Sequence, residues 1–237
     1  MFNIYKYYKY YINYKKINLN NYIINGGIIN NNKIKTPDNV YDIFPKYKNV
    51  DLTKIKFTKE SIYSVSKNNG ALFTIKKIIK HYGSSDLIIT DCTANIGSDT
   101  INFGLYFTNV NAIECDKINY KALKYNIKLY NLQNIKTIYG DINNVINTLK
   151  QDIIYIDAPW GGLNYKKYDN IKLYLNTYEI SNFIINNINK AKIFVLKVPY
   201  NYDYNYLLKN INKYNIFIYP YIINDKIKYF IIIIHIN

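Results

Sequence analysis

The chain has no arginine: all 31 of its basic residues are lysines. Cysteine is almost missing as well. Cys92 and Cys115 form no CxxC, and His81 and His235 stand far apart along the sequence. No zinc-type ligand set can be built from that spacing, and so few thiols point to a reducing, intracellular setting, nucleus or cytoplasm. Nine glycines leave no GxGxxG, which excludes the dinucleotide-binding fingerprint. No stretch approaches the roughly 20 apolar residues of a membrane span. The opening "MFNIYKYYKYYINYKK" lacks the continuous apolar core of a signal peptide. A soluble protein with neither metal nor membrane partner is expected.

Lysine, asparagine, isoleucine and tyrosine are abundant, and against 16 acidic residues the lysines leave a formal charge of +15. Such an excess suits an anionic partner, most simply nucleic acid. These are also the residues of A/T-rich codons, a bias met in parasites and large DNA viruses. A phosphate site must therefore be argued lysine by lysine. At 237 residues the chain fits one domain with an appendage.

Residues 1–33 are Tyr/Asn/Lys/Ile repeats without a clean period, a low-complexity extension. Residues 34–80 form a helical lead-in, with helical spacing from Lys67 through Ile75, Ile78 and Ile79. Over 81–237 strand and helix patterns alternate. Strands are predicted at 87–91, 110–114, 135–141, within 152–160 (the fourth strand and its exit) and at 191–199, with helices over 99–107 (Asp99 available as its cap), 117–131, 177–189 and near 204–213. Two late strands, 216–222 and 228–236, suggest an antiparallel hairpin at one edge of a mostly parallel α/β sheet. The tail "YFIIIIHIN" reads as a buried final strand, with His235 a satisfied edge or core residue.

Ligands of an open α/β sheet gather at the carboxyl ends of its strands. After the first strand comes "DCTANIGSDT", which offers Asp91, Thr93, Ala94, Asn95, Gly97 and Thr100 to a cofactor. Asn95 stands where a first glycine is usual, a tolerable exchange because asparagine visits the left-handed region readily. Glu114 ends the second strand, placed to accept from a ribose diol, and Asp141 follows the third. A one-glycine loop followed by two acids fits S-adenosylmethionine better than NAD.

The fourth strand exits into "DAPWGG", where Asp157, Ala158, Pro159 and Trp160 stand together. An exocyclic amine on a base has its lone pair drawn into the ring. Methyl transfer to it needs acceptors for the N–H groups, and Asp157 and the Ala158 carbonyl are so placed. Pro159 biases Ala158 to an extended backbone. Trp160 offers a face on which a ring can stack, with a cation–π contact of roughly 0.5 to 2 kcal/mol where that ring is cationic.

In this order the Asp91–Thr100 loop and "DAPWGGLNY" resemble the RNA cap guanine-N2 methyltransferases, the trimethylguanosine synthase family, with its D/S-PPW-GG-x-x-Y signature. "YDIF" (41–44), "SIYSVS" (61–66) and "LKVPYN" (196–201) are similar to its Y-x-LF, W-[FY]-S-V-T and L-P-x-N segments. The resemblance runs from about residue 35 to 237. It implies a Rossmann-like class I methyltransferase with a seven-stranded sheet, S-adenosylmethionine as donor and 7-methylguanosine-capped RNA as partner. It further implies that Lys35 and Tyr165 contact the cap triphosphate, that Asn201 belongs to the substrate side, and that Ser66 approaches the methionine part of the cofactor. Ala158 replaces the family's first proline. Tyr200 stands where the family often has a basic residue, leaving Lys197, Lys166 or Lys167 either as substitutes or as solvated surface. The other readings are an adenine-N6 or internal guanine-N2 methyltransferase of nucleic acid, and an inactive cap- or RNA-binding subunit.

Overall fold

The computed structural model describes residues 40–236. The expected extension over 1–33 and Lys35 lie outside them. The strands in chain order are β1 Ile88–Asp91, β2 Asn109–Glu114, β3 Ile135–Tyr139, β4 Ile153–Ile156, β5 Tyr174–Leu175, β6 Tyr178–Glu179, β7 Ile193–Pro199, β8 Asn215–Ile223 and β9 Lys226–His235. Seven of them make one sheet in the order β3-β2-β1-β4-β7-β9-β8, while β5 and β6 pair separately. β1, β2, β3, β4 and β7 run parallel, and β9 and β8 add antiparallel at the end. This is the expected mostly parallel sheet with its C-terminal hairpin.

The helices are α1 Val40–Ile43, α2 Ser61–Ser64, α3 Asn68–Tyr82, α4 Ser98–Tyr106, α5 Lys117–Tyr130, α6 Ile142–Val145, α7 Ile180–Asn186 and α8 Tyr204–Ile211. α5 begins where Asp116 accepts from the amides of Ile118 and Asn119, and stops at Asn131 in the left-handed conformation. The β5–β6 pair has no counterpart among the expected strands, β3 ends at Tyr139 where the turn at Gly140 begins, and two helix starts differ from their patterns. α4 starts one residue earlier than its pattern suggested, with Gly97 as N-cap, so Asp99 is free to turn inward. The helix expected over 177–189 starts at Ile180, because Asn176 (φ 54°) turns the chain between β5 and β6 and Glu179 then caps the amides of Ser181 and Asn182.

All four residues of β4 and all seven of β7 are buried, as befits central strands covered on both faces. Alternation sends Ile153 and Tyr155 to one core and Ile154 and Ile156 to the other. The first core also takes Val40, Phe44, Leu52 and Phe57 of the lead-in, and α3 runs across residue 80. His81 and His235, remote in sequence, meet at 2.9 Å, and His81 also reaches the Tyr219 hydroxyl at 2.6 Å. Among the described residues no cluster of three His, Cys, Asp or Glu could hold a metal, and no helix is long and apolar enough to cross a membrane.

Candidate active site

Register decides what meets at the carboxyl edge of the sheet. Asp91 pairs with Tyr155 across β1 and β4, and Ile156 with Leu196 across β4 and β7. The next residues along β4 and β7, Asp157 and Lys197, therefore emerge side by side. Lys197 Nζ donates to Asp157 Oδ2 at 2.6 Å and to Ser66 Oγ at 2.5 Å. Ser66 donates in turn to Asp99 Oδ2 at 2.5 Å, which also accepts from the Tyr155 hydroxyl at 3.0 Å. The cluster joins the lead-in, α4, β4 and β7 in one hydrogen-bonded chain.

On the β1 side, Asp91 is almost wholly buried and accepts from Thr100 Oγ1 at 2.6 Å and the Thr93 amide at 3.2 Å. Thr93 Oγ1 accepts from the Asp157 amide at 3.1 Å, tying the two loops together. Asn95 adopts φ 50°, the left-handed conformation its position calls for. Its amide donates to Glu114 Oε2 at 2.8 Å, its Nδ2 donates to Ser64 Oγ at 2.8 Å, and its buried Oδ1 has no partner among the described residues.

Burial raises the carboxylates. Asp91 is pushed up to about 7, opposed by the Thr100 hydroxyl, and Glu114 to about 7, opposed by the amides of Asp116 and Asn95. Asp157 is pushed up by burial to about 6, with the Lys197 ammonium as the main opposing influence. For Lys197 burial favours the neutral amine, but the charges of Asp157 and Asp99 outweigh it and hold the ammonium.

Gly161 (φ 89°) and Gly162 (φ 66°) both take the left-handed conformation, which explains the paired glycines after Trp160. They turn the chain into a short 3-10 helix, Gly162–Lys167, that folds Tyr165 back onto the indole. The Tyr165 ring meets Trp160 edge-on at 5.3 Å and 76°, and Tyr200 lies 6.2 Å beyond it. Tyr229 flanks Trp160 at 6.4 Å. Trp160 touches both cores of the sheet, and its buried Nε1 lies toward the Asp157 carboxylate without completing a well-formed hydrogen bond to it.

The sequence model of the RNA cap guanine-N2 methyltransferases matches residues 87–234. The chain belongs to that family. An uncharacterized protein of Acanthamoeba polyphaga mimivirus is 31% identical over 189 residues, covering 69% of this chain and 74% of its own. Two solved structures share the fold at 14% identity. A precorrin-6y methyltransferase of Geobacter metallireducens aligns over 76% of this chain and 93% of its own with a TM-score of 0.56. A 16S rRNA guanine-N2 methyltransferase of T. thermophilus, solved with S-adenosylmethionine and guanosine, aligns over 70% and 43% with a TM-score of 0.54. The protein is thus an S-adenosylmethionine-dependent methyltransferase of class I fold.

The residues of this methyltransferase suit that cofactor. Asp91, Asp99 and Asp157 set three carboxyl groups around the Lys197 ammonium, and a sulfonium cation placed there favours their ionised forms, which burial by itself opposes at Asp91 and Asp157. Asn95 adds the unpartnered Oδ1. The structure brings Ser66, Asp91, Thr93, Asn95, Gly97, Thr100, Glu114, Asp157 and Trp160 to one end of the sheet, with Ala94 and Ala158 buried behind and Pro159 exposed. Three expected residues sit differently from simple ligand donors. Asp141 caps α6, accepting from the Asn143 amide and from Asn176 Nδ2. Glu114 spends both oxygens on the amides of Asn95 and Asp116. Asn201 is buried, its Nδ2 donating to the carbonyls of Tyr165 and Tyr168, so it supports the aromatic loop from below.

Lys197 corrects the sequence reading. It is neither solvated surface nor placed like a free phosphate contact, because its side chain is only 8% exposed and paired with Asp157. Sequence reasoning also missed Asp99 and Tyr155 as parts of the cluster. A lysine inside an otherwise apolar strand, "IFVLKVP", was the available sign. Lys166 and Lys167 are exposed beside Tyr165, with Lys166 Nζ 5.8 Å from that ring.

Proposed function

We propose that this methyltransferase transfers a methyl group to the exocyclic N2 of a 7-methylguanosine RNA cap. The observation that carries the reading is the juxtaposition at the β4 exit. A partly buried carboxylate, Asp157, lies three residues from an indole, Trp160, whose orientation is braced by Tyr165. An N–H acceptor and a stacking face are both needed for an amine on a cationic base.

S-adenosylmethionine, when bound, would supply an electrophilic methyl on a positively charged sulfur, with the C–S electron pair remaining on the departing thioether and N2 giving up one proton to solvent. The chain's own residues do the rest. The Asp91–Thr100 loop, Glu114, Asp141 and Ser66 form the cofactor side. Trp160 stacks the base, and Tyr165 together with Lys166 and Lys167 faces the triphosphate, joined by Lys35 from the lead-in. Lys197 already occupies Asp157 Oδ2, which leaves Oδ1 to accept from the N2 amine and hold it in line. Ala158 contributes its carbonyl as the second acceptor. The lead-in, residues 34–80, shares in cofactor and cap binding ahead of a catalytic domain over 81–237. The A/T-rich composition and the mimivirus relative fit an enzyme of viral type acting on capped transcripts in host cytoplasm.

The test is methyl transfer from labelled S-adenosylmethionine to free 7-methyl-GTP, with GTP and ATP as parallel acceptors. Transfer to 7-methyl-GTP alone is the expected result, and product mass then counts the methyls. Transfer to ATP, or to neither guanine nucleotide while an internal RNA site is methylated, would overturn the cap reading.

A further inference from the structure

β7 is buried along its whole length, yet its fifth residue is a charged lysine flanked by Leu196 and Val198. Taking an ammonium and a carboxylate out of water costs several kcal/mol per ion, and apolar replacements of such pairs are often neutral or stabilising. Stability therefore does not account for Lys197. Its two hydrogen bonds point to another role: one to Asp157, the other to Ser66, which bonds to Asp99 beyond.

We propose that Lys197 is a positioning residue for methyl transfer, holding Asp157 by Oδ2 so that its carboxylate stays ionised and Oδ1 faces the acceptor amine. The inference rests on the reading of Asp157 as the amine's acceptor. The groups that face Asp157 are Lys197 from β7, Asp99 from α4, Asp91 from β1, Tyr155 from β4 itself, Tyr229 from β9 and the Trp160 indole N–H from the loop after β4. Lys197 is the cation of this set. Asp91 and Asp99 raise the cost of a charge on Asp157, and the tyrosines are held neutral by burial. Without the ammonium, a carboxylate among carboxylates and apolar walls takes up a proton. A protonated Asp157 keeps a carbonyl oxygen but loses the charge that strengthens its bond to the amine as that amine becomes positive. Ser66 makes the arrangement directional. It accepts from Lys197 and donates to Asp99, so the ammonium is held from the lead-in side while Asp157 is held from the sheet side.

The experiment compares the full chain with Lys197→Met, an unbranched apolar side chain in place of the lysine. Carbon-13 NMR of labelled aspartate, with Asp157 assigned by loss of its signal in Asp157→Asn, follows the carboxyl without any acceptor present. The pH profile of kcat is measured in parallel on whichever acceptor the wild type methylates. The Asp157 midpoint and the acid limb of kcat should both rise by about one to three pH units in Lys197→Met. KM for the acceptor should stay within about twofold, and the loss of rate at neutral pH should be recovered as the pH rises past the variant's own Asp157 midpoint. A lower kcat with the acid limb unmoved would mean that Lys197 merely supports the fold, and would overturn the proposal. Should Lys197→Met not fold, the wild type still decides: an Asp157 that is neutral at pH 7 with Lys197 present refutes it. Inactivity towards 7-methyl-GTP would count against the cap reading alone, because the carboxyl titration needs no cap.

Discussion

Trp160 is the only tryptophan of the chain, so its emission and its deletion both report on one place. Consider Trp160→Leu. In the wild type the indole is already held edge-on by Tyr165 at 5.3 Å and flanked by Tyr229, so stacking a base on it costs little further side-chain ordering. A cation over tryptophan is worth about 0.5 kcal/mol when exposed and about 2 kcal/mol when desolvated. A braced, partly buried indole belongs to the upper half of that range, about 1 to 2 kcal/mol, or about 5- to 30-fold in the preference for 7-methyl-GTP over GTP. Lys197 could oppose this, with its Nζ 5.8 Å from the indole centroid. An isolated charge about 9 Å from the base would cost about 2 kcal/mol at an effective dielectric of about 20. Its bond to Asp157 at 2.6 Å largely cancels that field, so the preference survives. Calorimetric titration of both nucleotides should therefore show the discrimination falling about 5- to 30-fold in Trp160→Leu, with cofactor affinity little changed, and 7-methyl-GTP should quench the wild-type emission. Equal discrimination in the variant, or binding by the wild type without any change in tryptophan emission, would refute the stacking argument.

Asp157→Asn should lower kcat about a hundredfold or more while cofactor still binds by calorimetry, since an amide offers a weaker acceptor to a developing positive charge. The same variant should lose about 1 to 3 kcal/mol of stability in denaturant titration, because the buried Lys197 ammonium then faces a neutral amide in place of its carboxylate partner. Gly97→Ala is expected to destabilise by about 1 to 2 kcal/mol. Gly97 has φ 99°, and a Cβ there would meet Leu123 Cδ1 at 3.0 Å, so a lower melting temperature and weaker cofactor binding should appear together. Burial and the neighbouring His235 hold His81 at about 4, below its ordinary 6.5. The stability contributed by the neutral imidazole is present above about pH 6.5 and is lost as pH falls through 4. The melting advantage of the wild type over His81→Phe should thus shrink across that window, and an advantage that grew on acidification would contradict the pairing.

Much of the fold was legible because it depends on local pattern. The apolar runs of β4 and β7, the Asp116 cap of α5 and the turn glycines after Trp160 each declare themselves within a few residues. Asn95 was foreseeable as a left-handed residue on backbone sterics alone. The helix expected from residue 177 was shortened because the sequence pattern does not separate a two-residue turn at Asn176 from a helix start.

By itself the sequence determined the seven strands of the main sheet and the longer helices between them, the carboxyl-edge motifs and the family they belong to, since all of these are carried by consecutive residues; the β5–β6 pair and the short α6 left no such pattern. The tertiary structure decided which charges meet. Ser66 and Lys197 are 131 positions apart, Asp157 and Lys197 are 40 apart, and His81 and His235 are 154 apart. Those pairings depend on parallel register between β4 and β7 and on the docking of the lead-in, which are long-range packing choices with no local trace. A lysine in a strand reads as surface until the strands on either side bury it, and only then does its charge require Asp157 as a partner.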